Sequence, residues 1–117
     1  MGLREKMLEI DMDADGTIMR FGGNEELLIR FIKKFLEDPT FVQVQNAVKQ
    51  KNYEDMECAA HTLKGTSANL GFDRLSSLCN LMVQKLRAGE RGSVSEIFIQ
   101  IEQEYSKIIS WIHNFNR

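Results

Sequence analysis

Ala60-His61-Thr62-Leu63-Lys64-Gly65-Thr66-Ser67-Ala68-Asn69-Leu70-Gly71 reads as the second half of an α-helix that stops at its last glycine. With successive residues about 100° apart around the axis, Met56, Ala60, Leu63, Ser67 and Leu70 fall on one side, at the 3/4 spacing of a buried stripe. His61 points roughly 140° away from the centre of that stripe. Glu57, Lys64, Gly65 and Ala68 share its face. Residues at i, i+3 and i+4 are neighbours on a helix surface, so Lys64 can reach an anion attached to His61, and Gly65 leaves bare backbone beside it. Glycine inside a helix costs about 1 kcal/mol relative to alanine, and a partner surface coming close to His61 is the natural use of that clearance. On these residues alone, the pattern also fits a solvated histidine beside a lysine, with Gly65 packed against another helix.

Outward from this stretch, Asn52-Tyr53-Glu54-Asp55 has the form of an N-cap with an acid at the third helical position. It either starts the His61 helix or kinks the preceding one into it. Gly71 is a C-terminal stop. Asp73 is expected to cap the next helix, which buries Leu75, Leu78, Cys79, Met82 and Leu86 and ends near Gly89. Asn80, Gln84 and Arg87 lie on its outer face, as solvated surface or as contacts for a group on His61. Ser93 and Glu96 form a capping box for the last helix. There Phe98, Ile101, Tyr105, Ile108, Ile112 and Phe115 make a bundle seam, flanked by Trp111, which is expected to pack on the N-terminal helix. His113 is a solvated residue near the negative end of that helix.

Upstream, Asn24 caps a helix with Glu25 and Glu26 in its first turn. It runs to about Glu37 and buries Leu28, Phe31, Ile32 and Phe35. Asp38-Pro39 ends it, and Pro39 takes the first position of a helix that buries Phe41, Val44 and Val48. Leu3 to Ile10 forms a short helix with Leu3, Met7 and Ile10 on one side. The run Asp11 to Ile18 opens like a calcium loop, with acids at loop positions 1, 3 and 5 and Gly16 at 6. Gly22 stands at the twelfth position, where a bidentate glutamate is required, so the expectation is an acidic loop without a calcium site.

Short connections between amphipathic helices imply antiparallel neighbours. The fold expected is all-α: an antiparallel up-down four-helix bundle with one or two short accessory N-terminal helices. Residues 1–117 make a single domain, with an accessory helix and acidic loop over 1–19 and the bundle over 20–115.

The chain has 117 residues, 43% hydrophobic and 27% charged, which is the composition of a globular domain rather than a disordered one. A formal net charge of -2 and the absence of a basic run argue against nucleic acid as the ligand. No stretch reaches the roughly 18 apolar residues of a membrane span, and the N-terminus lacks a signal-peptide pattern, so a cytoplasmic location is expected. Cys58 and Cys79 are expected to be reduced thiols. The sequence has no Gly-rich phosphate loop and no carboxylate cluster for magnesium, so neither ATP binding nor kinase activity is expected.

The stretch His61-Thr62-Leu63-Lys64-Gly65-Thr66-Ser67-Ala68-Asn69-Leu70-Gly71 resembles the signature of histidine-containing phosphotransfer (HPt) domains, matched at His61, Leu63, Lys64, Gly65, Ser67 and Gly71. Arg20 to Leu28 is similar to the segment that opens the first bundle helix in that family, and the likeness covers roughly residues 18 to 115. The resemblance implies the same helical bundle. It also implies a carrier that accepts a phosphoryl group on His61 from a receiver-domain aspartate and passes it to another receiver aspartate. By the same resemblance, Lys64 offsets the charge of phospho-His61, Gly65 permits docking, and Ser67 is a small packing residue. Glu57, Cys58 and Ala68 belong to the candidate docking surface. The partners implied are response-regulator receivers or a hybrid histidine kinase, with Mg²⁺ on the receiver and no cofactor, metal or membrane on this chain; a monomer suffices. Two other readings stand beside it: a structural or adaptor bundle that is never phosphorylated, and the phosphotransfer fragment of a larger hybrid or chemotaxis-type kinase.

Overall fold

Apolar residues at 3/4 spacing, bounded by caps, form the helices of a computed structural model that describes residues 2–116. They are α1 (Leu3–Leu8), α2 (Ala14–Arg20), α3 (Glu25–Lys34), α4 (Thr40–Gln50), α5 (Tyr53–Asn69), α6 (Asp73–Arg87) and α7 (Val94–His113). Short 3-10 turns occupy Phe35–Glu37, Arg91–Ser93 and Asn114–Asn116. No strand is present among the described residues. Helices α4, α5, α6 and α7 each pack on the next, and α7 closes back on α4, which makes an all-α four-helix bundle. The molecule is elongated, 44 × 24 × 19 Å.

The core runs through the middle of the bundle, with Leu28, Ile32, Val44, Leu63, Leu75, Met82, Ile101 and Ile112 fully buried. Tyr105 and Phe41 stack with ring centroids 3.9 Å apart, and Phe35 meets Phe72 at 5.2 Å. The accessory helices close one end by burying Leu3, Met7, Met12, Ala14 and Thr17. Trp111 packs on the N-terminal helix and donates its indole N–H to the Lys6 carbonyl at 2.8 Å.

The expected acidic loop is instead mostly helix. Asp13 caps α2, accepting the Gly16 N–H at 3.1 Å, and Asp15 pairs with Arg4 at 2.8 Å. The acids are thus used singly, and the Arg4 guanidinium holds the Asp15 carboxyl below the usual carboxylate range. Phe31 is exposed rather than buried, lying against Phe21 with Lys34 over its ring. Pro39 is the N-cap of α4 and not its first residue; Asp38 accepts the Thr40 N–H at 2.8 Å. Phe72, not Asp73, is the N-cap of α6, and Asp73 lies in its first turn. Ser93 makes no side-chain cap bond, because the Arg91–Ser93 turn already leads the chain into α7. Ile10, Val48, Leu86, Tyr105 and Phe115 are half-buried at the edges of the core.

Candidate functional site

Helix α5 is tied at both ends. At its start, Asn52 accepts the Asp55 N–H at 3.1 Å and its amide donates to the Asp55 carboxylate at 2.8 Å. At its end, the Phe72 N–H reaches the Ser67 carbonyl at 2.8 Å and the Gly71 N–H reaches Ala68 at 3.1 Å. This pair of bonds is a Schellman stop, with Gly71 in the left-handed region at φ +84. From α2, the Arg20 guanidinium donates to the carbonyls of Ala68 and Asn69, each at 2.9 Å. Those carbonyls lie in the last turn of α5, at the negative end of the helix dipole, where a cation adds charge-assisted hydrogen bonds beyond those of the glycine stop.

The core grips α5 through Met56, Ala59, Ala60, Leu63 and Ser67. That orientation leaves His61 and Gly65 exposed, and Lys64, Glu57 and Ala68 half-buried. A Cβ built on Gly65 would meet nothing within 4 Å. Gly65 is therefore not a packing glycine: the space over it is open, directly beside the imidazole one turn back.

Helix α6 flanks this face. The Lys64 ammonium donates to the Asn80 side-chain oxygen at 3.3 Å, and the Ser76 hydroxyl donates to the Lys64 carbonyl at 3.0 Å. Arg87 pairs with Glu57 at 3.1 Å. The two side-chain contacts lie on either side of His61 along α5. His61 is thus level with the step between buried Val83 and exposed Gln84 on the antiparallel α6. Asn80 and Arg87 therefore belong to the His61 face as partners of α5 residues, while Gln84 lies between them in solvent. Cys58 is exposed one turn before His61, and Thr62 donates to its carbonyl at 3.2 Å. Both cysteines are free; Cys79 is buried, and burial pushes its thiol up to about 12. His113 is exposed at the end of α7.

Ser67 faces the core with a fully buried hydroxyl that has no hydrogen-bond partner. An unpaired buried hydroxyl costs about 1–3 kcal/mol. Ser67→Ala is expected to raise stability by about 1 kcal/mol, read as a higher midpoint in thermal unfolding; a clear drop would mean that the hydroxyl is paired in solution.

Sequence reasoning missed Arg20 and Ser76. Arg20 is the last residue of α2, most of which has the spacing of an acidic loop, and nothing in the local pattern of Ser76 marks it as reaching across to α5. Among the described residues, no group of three or more His, Cys, Asp and Glu is placed to hold a metal ion, and no helix is long and apolar enough to cross a membrane.

The family model described as the Hpt domain matches residues 26–111, from the first turn of α3 to near the end of α7. Comparisons with curated proteins and with solved structures give no match. Hpt domains are phosphocarriers of two-component systems rather than kinases, and they interact with receiver domains and histidine kinases. With its match spanning most of the chain and the bundle expected of such a carrier, this chain belongs to the Hpt domain family.

Proposed function

We propose that His61 is the phospho-acceptor of a relay, taking a phosphoryl group from an aspartyl phosphate on one receiver domain and giving it to an aspartate on another. The observation that carries this reading is an exposed imidazole on a doubly capped helix, with an ammonium one turn on and open space over Gly65. A neutral imidazole nitrogen is a competent nucleophile toward phosphorus near neutral pH. Its lone pair forms the N–P bond as the P–O bond to the donor carboxylate breaks. The aspartate leaves as carboxylate, and the ring, keeping its proton on the other nitrogen, becomes an N-phosphorylated imidazolium. In the onward transfer the acceptor carboxylate forms the new P–O bond and the N–P electron pair returns to the ring. Nε2, which projects furthest from the backbone, is the nitrogen proposed.

Lys64 offsets the charge that the phosphoryl group brings, and the receiver supplies Mg²⁺ and the acidic pocket. Glu57, Cys58, Gly65 and Ala68 form the floor on which the receiver docks, and the partnership is transient, so a modest interface suffices. Incubation with a phosphorylated receiver is expected to leave acid-labile, alkali-stable label on this chain. A protein that takes no label is the structural or adaptor bundle instead.

The open space over Gly65 separates docking from folding. Gly65→Ala meets no atom in the free protein and removes the helix penalty of glycine, so its stability is expected to rise by up to about 1 kcal/mol. Transfer from the receiver is expected to slow about tenfold, since one methyl forced into a close contact costs about 1–3 kcal/mol. Unfolding midpoints and single-turnover transfer rates check the two halves. Unchanged transfer would remove the docking role of Gly65.

A further inference from the structure

The Lys64 side chain does not extend freely into water. Its carbonyl accepts from the Ser76 hydroxyl at 3.0 Å and its ammonium donates to Asn80 at 3.3 Å. Ser76 and Asn80 are one turn apart on α6, so a single face of that helix holds the lysine at its root and at its tip. Lys64 and Asn80 are both half-buried. The tip is held by a neutral amide rather than by a carboxylate. A carboxylate there would compete with an incoming phosphoryl group for the same charge, whereas an amide oxygen fixes the direction of the ammonium and leaves its charge uncompensated. The other cation of this face, Arg87, is instead neutralised by Glu57.

We infer that Ser76 and Asn80 are positioning residues for the phosphotransfer reaction: they hold the Lys64 ammonium, uncompensated, one turn along α5 from His61 so that it meets the phosphoryl group without first being ordered. The inference rests on the carrier reading of His61. Freezing a lysine side chain costs rotamer entropy, and part of that cost is met here before the phosphoryl group arrives. Prepaid ordering of this kind lowers a transfer barrier. Asn80 acts only through Lys64, so the two must be coupled.

The test is a double-mutant cycle on the rate of phosphoryl acceptance from a phosphorylated receiver. Lys64→Gln is expected to slow acceptance about tenfold, the scale of one charge-assisted hydrogen bond. Asn80→Ala is expected to slow it about threefold, and the double variant to be no slower than Lys64→Gln alone. Asn80→Gln restores an amide oxygen and is expected to recover most of the Asn80→Ala loss, which a merely structural role for Asn80 would not predict. Ser76→Ala should follow Asn80→Ala, with a smaller loss. Multiplying effects in the double variant, or an Asn80→Ala protein that accepts at the wild-type rate, would overturn the positioning role while leaving His61 as carrier. A wild-type protein that takes no label overturns the carrier reading and this role with it.

Discussion

Replacing His61 with glutamine is expected to abolish phosphoryl acceptance and to leave the fold untouched. The amide nitrogen of glutamine has its lone pair delocalised into the carbonyl and cannot form the N–P bond, so the loss is total rather than graded. The ring is exposed and contributes nothing to the core, and exposed substitutions away from caps and pairs usually change stability by no more than about 0.5 kcal/mol. Label after incubation with a phosphorylated receiver, together with a thermal melt, measures both. Residual acid-labile label in H61Q would place the acceptor elsewhere, and His113, exposed at the far end of α7, would be the first residue to examine.

Gly71→Ala is expected to be the most damaging single-methyl change in the chain. Two costs coincide there. The backbone sits at φ +84, which costs a residue with a Cβ about 1–2 kcal/mol. The new methyl would also meet the Thr17 side chain, and the Met12 terminal carbon at 3.1 Å. Thr17 is fully buried and its hydroxyl is already committed to the Asp13 carbonyl at 2.7 Å, so it has little room to yield. Overpacking of this kind costs about 1–3 kcal/mol, for a total of about 2–5 kcal/mol and a midpoint lowered by about 10 °C or more. Gly22 is the control. It too has positive φ, at +65, but a Cβ there meets nothing within 4 Å. Gly22→Ala should therefore lose only the dihedral part, about 1–2 kcal/mol. Equal losses at the two glycines would show that packing of α2 on the end of α5 adds nothing.

The features that could be read in the sequence were those written in local chemistry. The Asn24 and Asn52 caps and the Gly71 and Gly89 stops are short-range signals, and each is found at the expected residue; the 3.6-residue stripes hold for most of their members. What escaped depended on long-range packing or on competing local rules. The break between α4 and α5 has no glycine: Lys51 takes the left-handed conformation at φ 54, so the sequence left a kink and a true break equally open. Asp11, Asp13 and Asp15 matched a metal-loop spacing, yet Asp13 serves as a cap and Asp15 as a partner for Arg4, and the helix wins because it buries Ala14 and Thr17. Phe31 fits its stripe by spacing but lies exposed at the edge, against Phe21 and under the Lys34 ammonium rather than in the core.

The site followed the same division. Exposure of His61 opposite the stripe of α5 came from periodicity alone. The Lys64–Asn80 and Glu57–Arg87 contacts needed the register of α6 against α5, which no local pattern supplies. Asn80, Gln84 and Arg87 were singled out together by spacing, and the register separates them: two contact α5, and the third stands between them in water.

The measurement that bears most directly on the carrier role is the position and chemistry of the phosphoryl group after transfer from a receiver. The protein, labelled by a phosphorylated receiver and digested at alkaline pH, is predicted to carry one N-linked phosphoryl group. That group should lie on the peptide spanning Asn52 to Lys64, be lost in mild acid, and be returned to an unphosphorylated receiver on mixing. Label on any other peptide, label stable to acid, or none at all would contradict the account.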